Sequence, residues 1–175
     1  IACSTGVPLV LRALAEKPEA IAACIFISPN FGLAHRGSNL MLQLPWVRHW
    51  GPLIMGRTRE YEPRSEGHKK YWTTRYDVQA IYTMMEAVSA AAKLDLATFL
   101  VPLATLFCPE DQVVSPEKIR MALQRWGGPR EILEMDKGRD PSGHLLLGTV
   151  MNPEQTDVAT DFALDFCRRY LCNHL

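Results

Sequence analysis

The stretch Ala2-Cys3-Ser4-Thr5-Gly6 stands at the front of the chain, and the apolar run Val7-Pro8-Leu9-Val10-Leu11-Arg12-Ala13-Leu14-Ala15 follows it directly. Its form is small-x-Ser-x-Gly at the head of a helix-like segment. A serine that must stand up from a sharp strand-to-helix turn needs small neighbours, because bulky ones would block the turn. The following helix points its positive end at that serine, and the N–H after it can hold a developing negative charge. The same string also fits a buried serine that merely caps a helix. The rest of the chain decides between these readings.

Glu16-Lys17-Pro18 ends the first helix. Ala22-Ala23-Cys24-Ile25-Phe26-Ile27 is a short continuous apolar run, the pattern of a strand buried on both faces in a parallel sheet. Phe99 to Cys108 is a second such run, and Arg130 to Met135 a third strand. Helices are predicted between them. One starts near Asp77 and carries Val78, Ile81, Met84 or Met85, Val88, Ala91 and Ala92 on one side. Another has Ser115 as cap and Pro116 at its first position, and stops at Gly127-Gly128. The last is opened by Asn152, with Gln155 at the capping-box position and an apolar stripe of Val158, Ala159, Phe162, Ala163, Phe166 and Tyr170. Alternating strands and helices imply an α/β fold with a parallel sheet of at least three strands.

Residues 33–76 break that alternation and read as an inserted helical cap within one domain spanning residues 1–175. Leu40 to Trp50 is apolar and aromatic, interrupted by Pro45, and Gly56 to Lys70 is heavily charged. This suggests an apolar underside and a solvated outer segment. Met41, Trp46, Trp50 and Met55 are candidates to line an acyl-binding pocket, although Met and Trp also serve as plain packing.

Loops at the carboxyl ends of parallel strands line the ligand crevice. Asn30 and Phe31 follow one strand and either line a pocket or end the strand. Asp111, in Pro109-Glu110-Asp111-Gln112-Val113-Val114-Ser115-Pro116, follows the next, and His144, in Ser142-Gly143-His144, lies past the third. A serine hydroxyl is a poor nucleophile at neutral pH. It needs a base within hydrogen-bond reach and a carboxylate to orient that base. Ser4, Asp111 and His144 fall at one edge of the sheet. Asp136 and Asp140 are rival carboxylates, nearer to His144 in sequence. His35, His49, His68 and His174 lie in the insertion or at the tail.

The 175 residues are 47% hydrophobic and 22% charged with zero formal net charge. That balance provides no electrostatic attraction to nucleic acid or an anionic membrane. No apolar run reaches the ~18 residues of a membrane span. The five cysteines are odd in number and show no C-x-x-C spacing, and three of them sit inside apolar runs, which reads as buried thiols of a reducing, cytoplasmic setting rather than a disulfide framework. The histidines show no metal-binding cluster. The chain starts at Ile1, three residues before Ser4. It is therefore expected to be the C-terminal part of a longer protein.

With the elbow string, the acid loop and the Ser-Gly-His loop in the order Ser, Asp, His, the chain resembles the α/β-hydrolase fold family, in particular its esterase, lipase and lysophospholipase-like members with an inserted cap. The resemblance spans essentially the whole chain, with Ala2 in place of the first glycine of the elbow. It implies Ser4 as nucleophile, His144 as general acid and base, Asp111 as orienting acid and the Thr5 N–H as one oxyanion donor, with no metal or organic cofactor. A second oxyanion donor would come from an early strand–helix loop outside this sequence. The implied partner is a small-molecule ester with a hydrophobic acyl portion, cleaved through an acyl-enzyme, with Asn30, Phe31 and Trp46 near the substrate. Acyl transfer or thioester cleavage would use the same triad, and a non-catalytic binding protein could keep the same pocket. Oligomeric state is not indicated.

Overall fold

The computed structural model describes residues 1–35, 37, 44 and 46–172. Met41 and His174 lie outside the described residues, as does the side chain of Met55. Four parallel strands form one sheet in the order β1 (Ala2–Cys3), β2 (Cys24–Ile27), β5 (Leu103–Phe107) and β6 (Arg130–Glu134). Six helices are described: α1 (Gly6–Glu16), α2 (Val47–Met55), α3 (Glu66–Tyr71), α4 (Gln79–Ala91), α5 (Pro116–Arg125) and α6 (Pro153–Tyr170).

The apolar runs predicted as strands lie in the sheet interior because both of their faces are covered. Along β2, Cys24 and Phe26 join one core cluster while Ile25 and Ile27 join the other. Along β5, Leu103 and Phe107 alternate with Ala104 and Leu106 in the same way, as the two-residue period of a strand requires. The first core packs under α1 and α5 through Val7, Leu11, Leu14, Ile119 and Leu123, closed by Trp126 against Phe26 and Phe99. The second packs under α6 through Ala159 and Phe166. Ser115 caps α5 by accepting from the Lys118 N–H at 3.3 Å, with Pro116 in the first turn, as its sequence predicts.

Three local expectations are corrected. Ala92 is exposed, and Tyr82 instead fills the buried side of α4 with Met85, Val88 and Ala91. Val158 is exposed on α6. The capping box predicted at α6 does not form, since Asn152 makes no side-chain cap bond there. Its side chain is turned toward the loop before it, where it has buried groups to satisfy.

The segment between β2 and α4 is not purely helical. β3 (Thr58–Glu60) and β4 (Arg75–Asp77) pair as an antiparallel ribbon, with Arg59 opposite Tyr76. All six residues are exposed, so no apolar alternation marks them in the sequence. Between them, α3 is capped by Ser65, whose Oγ accepts from the His68 N–H at 3.0 Å. His68 is buried in this otherwise charged stretch, with its ring against Tyr61 and Trp72.

Candidate active site

Ser4 directly follows β1 and Ser28 directly follows β2. Both hold a left-handed backbone, with φ of 48° and 44°. For a residue with a Cβ this conformation costs about 1–2 kcal/mol and persists only where surrounding bonds enforce it. At Ser4 those bonds are present. Its N–H donates to Ile27 O at 2.9 Å, and its carbonyl accepts from the N–H groups of Val7 at 3.2 Å and Asn30 at 3.1 Å. The turn then enters α1 through Thr5, the residue before the first helical position. The serine therefore sits on a sharp strand-to-helix turn, with the N-terminus of α1 beneath it.

His144 Nε2 lies 3.0 Å from Ser4 Oγ, and His144 Nδ1 lies 2.8 Å from Asp111 Oδ2. Asp111 has a fully buried side chain, and the His144 side chain is only 10% exposed. An ionised carboxylate only accepts, so Asp111 holds the proton on Nδ1 and leaves the Nε2 lone pair facing the serine hydroxyl. The other Asp111 oxygen accepts from the N–H groups of Val113 at 2.8 Å and Val114 at 3.0 Å. These bonds fix the carboxylate's angle independently of the histidine.

The three strand-end loops are stitched to one another through the backbone. Gln112 N–H donates to Ser142 O at 2.8 Å, joining the Asp111 loop to the His144 loop. Ser115 N–H donates to Gly32 O at 2.9 Å, and Ala34 N–H to Val113 O at 3.0 Å, joining the Asp111 loop to the segment after β2. Gly143, at φ +67°, lets the histidine loop come close to the floor of the site. A Cβ there would lie 3.1 Å from both Cys108 Sγ and Lys137 Cγ.

Sequence reasoning missed three residues that hold His144. Ser28, fully buried, donates through Oγ to His144 O at 2.8 Å. Asn152, also fully buried, donates through Nδ2 to Leu145 O at 2.5 Å and Lys137 O at 3.2 Å, and accepts from Arg139 N–H. Asp140 is one of the rival carboxylates, but it faces the histidine's backbone and not its ring. Its Oδ2 accepts from the N–H groups of His144 at 3.0 Å and Leu145 at 2.8 Å. Burial would raise the Asp140 carboxyl, but the Leu145 N–H, Ser142 and Arg64 outweigh it and bring its pKa down to about 2. The other rival, Asp136, is exposed, and its carbonyl accepts from Gln155 Nε2 at 3.0 Å.

Cys3 stands beside Ser4. Desolvation and, to a lesser degree, the negative Asp111 raise its thiol above the ordinary value, so it stays protonated and weakly nucleophilic at neutral pH.

Asn30 is buried, donates through Nδ2 to Thr5 Oγ1 at 3.3 Å and accepts from the Gly32 N–H at 3.0 Å. Asn30 and Phe31 line a cavity of about 250 Å³ together with Val88, Ala91, Leu96, Ala122, Lys118 and Arg125. Trp46 is 77% exposed and lines a different cavity with Val47, His49, Tyr82 and Met85. Neither cavity is lined by Ser4, Asp111 or His144. Among the described residues, no group of three or more His, Cys, Asp or Glu side chains is placed to hold a metal ion. No helix among them is long and apolar enough to cross a membrane.

No family profile matches the sequence, and no curated protein matches it. Solved structures do match. A monoacylglycerol lipase from Paleococcus ferrophilus superposes with a TM-score of 0.69 at 16% identity, over 96% of this chain and 66% of its own. A structure reported for LipS and LipT, two metagenome-derived lipolytic enzymes, gives 0.70 at 19%, over 95% and 63%. A monoglyceride lipase from Saccharomyces cerevisiae gives 0.60 at 12%, over 98% and 63%. The chain has the α/β-hydrolase fold. It spans 63–66% of the length of these structures.

Proposed function

We propose that this chain carries the catalytic triad of a serine hydrolase that cleaves carboxylic esters. Ser4 Oγ attacks the carbonyl carbon as its proton passes to His144 Nε2. Asp111 holds the imidazole and stabilises the imidazolium that forms. The Thr5 N–H, at the mouth of α1, donates to the oxyanion. The tetrahedral intermediate collapses, the C–O bond to the alcohol breaks, and His144 returns its proton to the leaving oxygen. Water, deprotonated by His144, then releases the acid and restores Ser4.

The observation that carries this reading is the unbroken chain of bonds from Ser4 Oγ through His144 to Asp111, built on a serine held at φ 48°. A buried serine that only capped a helix would need neither the strained turn nor the imidazole. The monoacylglycerol-cleaving names of two structural neighbours favour a substrate with a hydrophobic acyl portion.

A fluorophosphonate probe tests the reading. The intact protein should be labelled, and labelling should vanish in Ser4→Ala and His144→Ala. Turnover of p-nitrophenyl esters should disappear in the same variants. An unlabelled intact protein, or labelling that survives Ser4→Ala, would sink it.

A further inference from the structure

The residues between β3 and β4 touch the histidine loop at two places. Arg64, just ahead of α3, pairs through Nη1 with Asp140 Oδ1. Gly67, within α3, lies so close to Val150 that a Cβ there would come within 2.9 Å of the valine Cγ1. Val150 belongs to the segment between His144 and α6. α3 and the residue ahead of it therefore sit against the loop that carries the imidazole.

Asp140 divides its two oxygens. Oδ2 serves the loop, taking the His144 and Leu145 N–H groups and the Ser142 hydroxyl. Oδ1 takes Arg64 and, at 3.2 Å, the Ser142 N–H. The carboxylate is fully buried, while the Arg64 side chain is 47% exposed. A buried carboxylate needs a counter-charge, and Arg64 is the cation placed on it.

We propose that Arg64 and Asp140 form a latch through which the stretch between β3 and β4 sets the position of His144. Asp140 is a positioning residue, acting on the imidazole through the His144 and Leu145 backbone. Arg64 acts on it through Asp140. The inference rests on the Ser4–His144–Asp111 reading for its effect on rate, but not for its effect on the histidine.

The two-sided use of Asp140 makes specific variants informative. In Asp140→Asn one oxygen becomes an NH2 group, which cannot face N–H donors. The side that can escape to water is the Arg64 side, so the amide should turn its NH2 there and keep the His144 and Leu145 bonds, losing only the longer Ser142 N–H bond. Asp140→Asn should then behave like Arg64→Gln, and Asp140→Ala, which strands four loop donors, should be much worse.

The test combines rate and spectroscopy on the intact protein. Fluorophosphonate labelling should slow roughly 10-fold in Arg64→Gln and in Asp140→Asn, as expected for a misaligned general base. The double variant should be no slower than either single, because both remove one interaction. Arg64→Lys should restore part of the rate. By proton NMR, the downfield signal of the His144 Nδ1–H bonded to Asp111 should be present in the wild type and weakened or lost in both single variants. Additive slowing, or an unchanged Nδ1–H signal in Arg64→Gln, overturns the latch. If the wild type is not labelled at all, the hydrolase reading fails, and the NMR comparison still decides the latch.

Discussion

Ser4 Oγ and His144 Nε2 meet at 3.0 Å although 140 positions separate them in the chain. Four parallel strand ends and three cross-linked loops produce that meeting. Asp111 closes the relay from behind the ring at 2.8 Å.

Asp111→Asn separates orientation from folding. Its Oδ1 accepts the Val113 and Val114 N–H groups, and an asparagine oxygen can keep both bonds. The NH2 must then face His144 Nδ1 and force the other tautomer, leaving Nε2 protonated against the serine. The Tm should change little. The value of kcat/KM for a p-nitrophenyl ester should fall on the order of 10⁴-fold. A fall of less than tenfold would remove Asp111 from the relay.

Ser28 offers a test of the loop support. Ser28→Ala leaves the buried His144 carbonyl without its donor, a loss of about 1–2 kcal/mol. Ser28→Gly loses the same bond but relieves the backbone held at φ 44°, so its denaturation midpoint should lie above that of the alanine variant. The reverse order would mean that the turn is unstrained.

Asn152 distinguishes a helix cap from a loop clamp. As a cap it should tolerate Ser or Asp, both good N-cap residues. As a clamp it must donate to Leu145 O and Lys137 O, which a carboxylate cannot do. Asn152→Asp should therefore destabilise about as much as Asn152→Ala, on the order of 2–3 kcal/mol. A urea midpoint for Asn152→Asp within error of the wild type would restore the cap reading.

Asp140 gives a pH dependence of stability. Its carboxyl is lowered to about 2 in the folded chain, against about 3.9 in an unfolded one. A lowered carboxyl contributes stability that is present above the unfolded value and is lost as pH falls through the folded value. The contribution is about 2 kcal/mol, and it should be lost between about pH 4 and pH 2. Urea unfolding across that range should show a shallower acid slope in Asp140→Asn than in the wild type. Equal slopes would show that Asp140 carries no such stabilisation.

The sequence alone determines the order of strands and helices, because β2 and β5 are buried on both faces and are continuous apolar runs, and because Ser115-Pro116 marks a helix start chemically. It also places Ser4, Asp111 and His144 at strand ends, where parallel sheets gather their ligand-facing loops. It names Asp136 and Asp140 as rivals and prefers Asp111, because its place after the preceding strand lets it approach the ring from behind. Only the tertiary structure gives Asp140 to the backbone and Arg64 to Asp140. It alone turns Asn152 and Ser28 toward the histidine loop. The exposed ribbon of β3 and β4 is also a tertiary finding, because three-residue strands with no buried face leave no period to read. The physical reason is common to all of these. Burial writes a pattern into neighbouring residues, whereas a hydrogen bond between distant loops depends on where the register of the sheet brings two single side chains.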